Sequence, residues 1–584
     1  MSTDGSNATI NLTLSQTIQG LLESYRRMSM PMGQYVTFIL VPSLAFFLGT
    51  VVVAAFVQLP LSIRIPVPLL GLLAFLSAVF YPKILLSQRK QQLNNRFHLL
   101  VTHMTVLSTT NIDRMEVFRT LAAEEEYGEL ATEMQRIVEL VDTWNQSLDD
   151  ACRRRAREVP SDTVADFLER LAYTVNAGQS LQDYLLTEQD QIIKNYTTTY
   201  ESTLDNLDVL KDLYLSMILS MTFALVFAVV LPILTGTDPT LTVSAVILLY
   251  IFVQTGFFLG IRSMSPYDPV WYHPEDRPSS IESSIQQSFI LGVALTVLLF
   301  GISLGGLFSV SPITLEMLVP FVGDELPLVL YAIIPVTPLL IPGIVLNLAE
   351  RRVKKRDESF PSFIRALGTT ESVKQSTSSD VLKTLREKDF GPLTANINDL
   401  YKRLNMRIEA TEAWRYFTAD CRSYLIQTFS EMYLMGRELG GEPKMLGELI
   451  SENMNKVLQL RQMRAQATTT LIGLLYGITA AATFAFFIGL EVVSILSEME
   501  DLELDPGAGF DAGQLINPEV YNIPLIEFLL IVVIMFSALL SALMIRTVDG
   551  GHKINSYMHF VLMAWISGLV AIATKWLIGT FLAI

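Results

Sequence analysis

Nine mostly apolar runs, each long enough to cross a bilayer as a helix, divide this chain of 584 residues. The second run is the weakest because it is short and contains Pro66 and Pro68, so eight or nine spans are predicted. A hydrophobic fraction of 51% and a mean hydropathy of +0.40 agree with an all-α polytopic membrane protein. The runs are residues 35–57, 65–82, 213–234, 241–261, 289–307, 328–348, 468–490, 523–545 and 557–584.

Two polar stretches between these runs have the pattern of soluble helical domains. Apolar residues such as Phe97, Leu100 and Met104 recur at three- and four-residue spacing, which is typical of amphipathic helices. Strand signals are almost absent. The chain is therefore divided into a tail (1–34), spans 1–2 (35–82), a first helical domain (83–212), spans 3–6 (213–348), a second helical domain (349–467), and spans 7–9 (468–584) with an acidic loop (497–522).

The distribution of Lys and Arg predicts the orientation of the chain in the membrane. The two helical domains hold 14 and 20 of the 42 basic residues, whereas the acidic loop holds none and seven acidic residues. Basic residues stay on the cytoplasmic side during insertion. We therefore expect a multi-pass cell-membrane protein with a cytoplasmic N-terminus, two cytoplasmic domains and an external C-terminus.

The second helical domain repeats the order of the first, which indicates an internal duplication. Matching segments lie 262 to 266 residues apart, although their identity is low. The pairs are residues 97–105 with 363–371, 117–121 with 381–385, and 167–178 with 429–440.

The two copies differ in charge. The first domain has 14 basic and 22 acidic residues, a net of −8, and the second has 20 basic and 16 acidic residues, a net of +4. Opposite charges of this kind can pair the domains with each other or give them different partners. The whole chain has a net charge of −16 with 28 Arg and 14 Lys, a balance that favours a halophilic source.

No motif for catalysis, a cofactor or a metal is present. There is no GxxxxGK[ST] phosphate loop, no HExxH and no GxSxG, and the five histidines are scattered. Cys152 and Cys421 lie in predicted cytoplasmic domains, where they are expected to be small buried apolar residues. The sequence therefore predicts a protein that is not an enzyme and needs no cofactor.

Basic clusters are the candidate partner-binding residues. A run just inside the sixth span favours contact with anionic lipid, or docking of an acidic cytoplasmic partner. A similar cluster, Arg153, Arg154 and Arg155, lies in the first domain. The residues of the run are Arg351, Arg352, Lys354, Lys355 and Arg356.

Three glycines, Gly178 and the pair Gly440 and Gly441, follow an amphipathic helix at matching points of the two domains. Helix capping is the simpler interpretation, and a hinge that transmits motion is the functional alternative.

Three charged residues, Glu491, Glu527 and Lys575, fall within apolar spans. A charge at the bilayer centre costs about 2.5–3.5 kcal/mol on insertion scales, and an ion pair reduces this cost. We expect Lys575 to pair with Glu527 or Glu491 and to hold the last three spans together. A proton or ion pathway is the alternative.

Two helical repeats that each lead into membrane spans, with Asn176-Ala177-Gly178-Gln179-Ser180-Leu181 and Glu438-Leu439-Gly440-Gly441 at equivalent positions, resemble the type II secretion system F-domain family. The nine-span form and the opening Ser24-Tyr25-Arg26-Arg27-Met28-Ser29-Met30 are most similar to the archaellum branch of that family.

The resemblance implies a membrane platform that couples a hexameric cytoplasmic ATPase to assembly of a filament of small subunits, and in the archaellum also to its rotation. It also implies partners: the ATPase, archaellins or pilins, membrane lipid and further copies of the chain, but no nucleic acid. An adhesion-pilus platform is the alternative, and a secondary transporter is a remote one. The positive charge of the second domain favours it as the docking site for the ATPase.

Overall fold

The computed structural model describes residues 32–56, 66–110, 112–274, 280–307, 315–318, 326–374, 378–498 and 522–582. In these ranges the chain forms helices and no β-strand, apart from one isolated bridge, which confirms the predicted all-α fold. The tail up to residue 31, including Ser24–Met30, and residues 499–521 of the acidic loop lie outside the described residues. The chain falls into two compact units, Met1–Ile192 and Ile193–Ile584.

Membrane-spanning helices account for much of the described chain. Eight of its helices are long and apolar enough to cross a membrane. The predicted span at residues 65–82 is not among the eight, although a helix, Pro66–Asn95, covers it and continues into polar residues. The eight are Gly33–Val52, Leu181–Thr235, Pro239–Met264, Ser283–Gly306, Leu328–Lys374, Pro443–Ser497, Ile523–Asp549 and Lys553–Phe581.

The first unit carries the first helical domain. Several of its helices begin at side-chain caps: Asp113, Ser147 and Ser161 each accept a hydrogen bond from a backbone N–H in the first turn that follows. The helices are α1 (Val41–Phe56), α2 (Pro66–Asn95), α3 (Phe97–Ser108), α4 (Arg114–Ala123), α5 (Glu129–Asp142), α6 (Leu148–Glu158), α7 (Asp162–Asn176) and the beginning of α8 (Leu181–Thr235).

The core of the first domain contains a buried carboxylate among its apolar side chains. Glu133 is 0% exposed and accepts hydrogen bonds from Arg155 at 3.0 and 2.6 Å and from Arg89 at 3.3 Å. The same core buries Cys152, and burial raises the pKa of its thiol to about 12. Cys152 is therefore a structural residue, as the sequence predicts.

The second unit carries the remaining membrane helices and the second helical domain. Two of its helices, α12 and α17, run without interruption from an apolar segment into the domain. After the rest of α8 come α9 (Pro239–Met264), α10 (Ser280–Leu307), α11 (Leu328–Val336), α12 (Leu340–Lys374), α13 (Ser378–Leu385), α14 (Thr394–Asn405), α15 (Ala410–Cys421), α16 (Tyr424–Glu438), α17 (Pro443–Glu498), α18 (Ile523–Asp549) and α19 (Ser556–Leu582).

Helices α12 and α17 pack closely in the second domain because glycines face each other between them. A Cβ on Gly368 would lie 2.3 Å from the carbonyl oxygen of Pro443, and one on Gly447 would lie 2.8 Å from that of Ile364. Neither position has room for a side chain, so the two long helices are held in close contact inside the domain, near the end of each helix that lies away from its apolar segment.

The helix caps of the two domains repeat, as the duplication predicts. Ser161 and Ser423, 262 residues apart, are both fully buried and both cap the helix that follows. At the ends of those helices Gly178 and Gly440 have φ values of +73° and +87°, in the left-handed region that favours glycine. The duplication is therefore visible in backbone geometry as well as in residue spacing.

Candidate coupling site at the membrane end of the second domain

Charged side chains cluster where α12 and α17 leave their apolar segments. They bind two connections between membrane helices: the loop after α9 and the turn between α18 and α19. The cluster, called the junction below, consists of Glu350, Lys354, Asp357, Arg461 and Arg464 with the loop and turn residues that they contact.

The loop after α9 is fixed to the second domain through its backbone. Trp271 forms an antiparallel bridge with Ser423, the residue that caps α16. The N–H of Tyr272 donates to the carbonyl oxygen of Arg422 at 3.0 Å. These bonds join a connection between two membrane helices to the start of a helix in the domain.

Arg461 of α17 binds two carboxylates from two other elements. Its guanidinium donates to both oxygens of Asp268 in the loop, at 2.7 and 2.6 Å, and to Asp357 of α12 at 2.7 Å. Asp357 is 0% exposed. Bidentate guanidinium–carboxylate contacts fix orientation as well as charge, so Arg461 holds α12, α17 and the loop in one arrangement.

Arg464, one turn further along α17, binds the last carbonyl groups of α18. Its guanidinium donates to the carbonyl oxygen of Val548 and, at 3.2 Å, to that of Thr547. Helix C-termini attract cations because their last carbonyls lack helical partners. Gly550 follows with φ +77°, and a Cβ there would lie 2.8 Å from the Arg464 guanidinium.

The turn between α18 and α19 is also bound by α12. The carboxylate of Glu350, 3% exposed, accepts a hydrogen bond from the backbone N–H of His552 at 3.2 Å. Lys354 donates to Asp549 at 3.0 Å and lies 3.1 Å from Glu350. A Cβ on Gly551 would lie 2.6 Å from the Glu350 carboxylate, so a side chain there would displace Glu350 from this contact.

The junction is a network of charged side chains that joins elements distant in sequence. Glu350, Asp357 and Arg461 are held in ion pairs, and removing one partner of such a pair leaves the other uncompensated at a cost of about 3–5 kcal/mol. The buried Arg464 is bound by carbonyl and hydroxyl oxygens instead. The bonds connect α12 and α17 to both membrane connections.

Three residues of the predicted basic run, Arg351, Arg352 and Lys355, are exposed on α12. The other two, Lys354 and Arg356, are half-buried and make bonds within the second unit. The run therefore divides between a solvent-facing set and an internal one.

Arg356 has the same kind of role as Arg464. Its guanidinium donates to the carbonyl oxygens of Asp420 and Cys421, both at 3.2 Å, where α15 ends. Cys421 is buried there, and burial raises the pKa of its thiol.

The cluster Arg153, Arg154 and Arg155 of the first domain also contains both buried and exposed residues. Arg155 lies in the interior, bound to Glu133, whereas Arg153 and Arg154 keep side-chain exposures of 43% and 56%. Only Arg153 and Arg154 are placed where a partner can reach them.

The charges inside the spans come together from different helices. Lys575 Nζ of α19 donates to Glu527 Oε1 of α18 at 2.6 Å, and it lies 5.7 Å from the ring centroid of Phe487 in α17. Glu491 is half-buried on α17. The Lys575–Glu527 bond joins two of the last three spans, and the cation–π contact includes the third. Among the described residues, no group of acidic, histidine or cysteine side chains can hold a metal ion.

The predicted glycine positions have the geometry of helix caps. No heavy atom lies within 4 Å of a Cβ built on Gly178 or Gly440, so backbone conformation alone favours glycine there. Gly441 is buried, and its N–H donates to the carbonyl oxygen of Gly436 at 2.8 Å. The hinge interpretation stays a prediction.

Sequence reasoning missed Glu350, Arg461 and Arg464. Apart from Lys354 beside Glu350, the partners named from other segments lie 79 to 202 residues away along the chain, so no local spacing reveals them. The one available signal was position: each is a charged residue within a few turns of an apolar segment.

The fold and the junction define an all-α multi-pass membrane protein that carries two copies of one helical domain. Residues 100–230 match the family described as type II secretion system (T2SS), protein F. No solved structure matches the chain.

Two relatives are similar over nearly the whole chain. Flagella accessory protein J of Methanocaldococcus jannaschii is 32% identical over 517 residues, 88% of this chain and 90% of the relative. Flagella accessory protein J of Methanococcus voltae is 32% identical over 553 residues, 94% of this chain and 97% of the relative. The chain belongs to the flagella accessory protein J family.

Proposed function

We propose that this chain is the membrane platform of an archaellum, coupling a cytoplasmic hexameric ATPase to assembly and rotation of a filament. The similarity to two flagella accessory proteins J over most of the chain carries the proposal. In this role the chain is not itself an enzyme: the ATPase supplies the chemical energy, and the platform transmits motion to archaellins in the membrane.

The membrane helices support placing both domains on one side. Four candidate spans separate the first domain from the second, and an even number returns the chain to the same side. This inference does not depend on the weak span at residues 65–82. The surplus of Lys and Arg in the second domain favours the cytoplasmic side, and three further candidate spans then put the C-terminus outside.

The junction gives this function a physical route. A partner that moves the second domain also moves Arg461 and Arg464, and through them the loop after α9 and the end of α18. Packed helices transmit such displacements because protein interiors are dense and resist compression.

Complementation of a gene deletion tests the platform function. Cells without the gene should neither swim nor carry archaella, and the intact gene should restore both. Loss of adhesion pili with swimming retained would assign the chain to the pilus branch instead. Substrate flux through proteoliposomes without any ATPase would favour the transporter alternative.

A matched pair of variants tests the junction. Arg464→Met should abolish swimming while the protein still accumulates in the membrane, because the last carbonyls of α18 lose their donor. Arg415→Met removes a guanidinium of the same domain that is 73% exposed, and it should swim normally. Normal swimming of the Arg464→Met strain would exclude transmission through this contact.

Reversing only the exposed charges of the basic run tests whether the ATPase docks there. Reversal of Arg351, Arg352 and Lys355 to Glu should reduce co-purification of the ATPase, with Lys354 and Arg356 left intact because they bind internally. The control reverses Arg153 and Arg154 in the first domain. Equal loss in both variants would mean that docking is not confined to the second domain.

A further inference from the structure

One turn of each domain combines a left-handed backbone conformation with an exposed apolar side chain. The turn between α5 and α6 contains Asn145 at φ +52°, and the turn between α14 and α15 contains Arg407 at φ +61°. These positions are 262 residues apart, the offset that also relates Ser161 to Ser423. A left-handed conformation costs most residues with a side chain about 1–2 kcal/mol, whereas asparagine adopts it more readily. Both copies of the repeat therefore retain a left-handed residue at the same point, and Arg407 is the one that is strained there.

In both turns the residue before the one with left-handed φ is large, apolar and exposed. Trp144 is 72% exposed and Met406 is 67% exposed. A single exposed apolar residue needs no explanation. Two of them at equivalent positions, each preceding a residue with left-handed φ, show that the duplicated turn presents an apolar tip in both domains.

The sequence segments that form the two tips differ in the sign of their net charge. Residues 139–150 contain four acidic residues and no basic one, and Asp142 is paired with Arg119. Residues 401–412 contain three basic and two acidic residues, and Lys402 and Arg403 are paired with Asp399 and Asp420. The whole domains differ in the same sense, with net charges of −8 and +4. Contact between two first-domain tips would bring like charges together, and contact between a first and a second tip would bring opposite charges together.

We propose that the Trp144 turn of one copy of this chain docks against the Met406 turn of a second copy. Both tips are exposed in the single chain, so a second copy can supply the apolar surface and the charge that each lacks. In a pair with two-fold symmetry the contact forms twice, once in each direction. Because both copies lie in one membrane, the second contact forms at a high effective concentration.

Disulfide trapping between two differently tagged copies tests the contact. One copy carries Trp144→Cys and the other Met406→Cys, and both are expressed together and oxidised in native membranes. The expected product is a cross-linked dimer that carries both tags. Native Cys152 and Cys421 do not interfere because both thiols are buried with raised pKa values.

Matched positions exclude random collision. Tyr173→Cys in one copy and Val373→Cys in the other place thiols at sites that are 72% and 79% exposed, away from the turns. This pair should cross-link at least fivefold more slowly. Equal rates, cross-links only between two Trp144→Cys copies, or a disulfide formed within one chain carrying both cysteines would each overturn the proposal.

Charge reversal tests whether opposite charges favour the contact between the Trp144 turn and the Met406 turn. Arg407→Glu in the Met406→Cys copy should slow cross-linking about threefold, and Glu139→Lys in the Trp144→Cys copy should restore much of the rate. Both residues are exposed, so neither change disturbs a core. An unchanged rate in the Arg407→Glu copy would show that charge does not select this contact.

Discussion

The two helical domains share their caps and turns but differ in what fills their cores. The first buries Glu133 with the guanidinium of Arg155. At the position 262 residues after Arg155 the second domain has Phe417, whose ring lies 5.3 Å from that of Trp414 and 6.0 Å from that of Phe363, between centroids. One core is held by a buried ion pair and the other by an aromatic cluster.

This difference teaches which features of the duplicated fold are constrained. A left-handed cap or a buried N-cap permits few residue types, so glycine and serine recur at Gly178 and Gly440 and at Ser161 and Ser423. A core requires only filled volume and satisfied polar groups. Different chemistry can meet those requirements on the same backbone.

The largest expected effect comes from removing the buried carboxylate of the first core. Glu133→Leu leaves the Arg155 guanidinium with the half-exposed Glu158 as its remaining carboxylate partner and should destabilise α5 and α6 by about 3 kcal/mol. Hydrogen–deuterium exchange of residues 129–158 in the full chain measures this loss. The double variant Glu133→Leu with Arg155→Leu should recover most of it, and an unprotected double variant would contradict the ion-pair explanation.

The aromatic core should respond to lost volume instead of lost charge. Phe417→Ala should reduce the stability of α15 and α16 by about 3 kcal/mol, because truncating a buried Phe leaves a cavity. Phe417→Leu should cost less than half as much. If the two substitutions cost the same, as judged by exchange of residues 410–438, cavity volume would not be the cause.

The two domains should differ in how strongly their stability depends on pH. His103 is buried in the first domain, and burial lowers its pKa from 6.5 to about 4, whereas the equivalent residue of the second domain is the exposed Thr369. As the pH falls, His103 is protonated in the unfolded chain before it is protonated in the folded one. The stability of the folded domain is therefore unaffected by His103 above pH 6.5 and decreases as the pH falls toward 4. We expect the first domain to lose about 2–3 kcal/mol over that range.

The control for this prediction is His103→Gln, which has no titrating group. Exchange protection of α3 should fall more steeply with decreasing pH in the wild-type protein than in the variant. Parallel curves would show that other groups, such as the carboxylates, set the acid sensitivity of the first domain.

The smallest expected effect should be equal in the two domains. Gly178→Ala and Gly440→Ala should each cost about 1–2 kcal/mol, because a residue with a Cβ is strained at positive φ and no neighbouring atom adds a clash. Thermal unfolding of the two variants measures it. Loss of swimming with stability reduced no further than this would favour a hinge over a simple cap.

The sequence by itself determined the features that are encoded locally. Apolar runs identified eight of the membrane helices, three- and four-residue spacing identified the domain helices, and the 262-residue offset identified the repeat, with Gly178 and Gly440 as its caps. These signals are readable because helix period, span length and cap geometry each act within a few residues.

Only the tertiary structure decided which charges are used inside the protein. It separated Lys354 and Arg356 from the exposed residues of one basic run, chose Glu527 as the partner of Lys575, and brought Arg461 to Asp268, 193 residues away. An ion pair depends on where packed helices bring side chains together, and the cost of burying a charge depends on neighbours from distant segments. Neither the formation of an ion pair nor the cost of burying a charge leaves a regular pattern in the sequence.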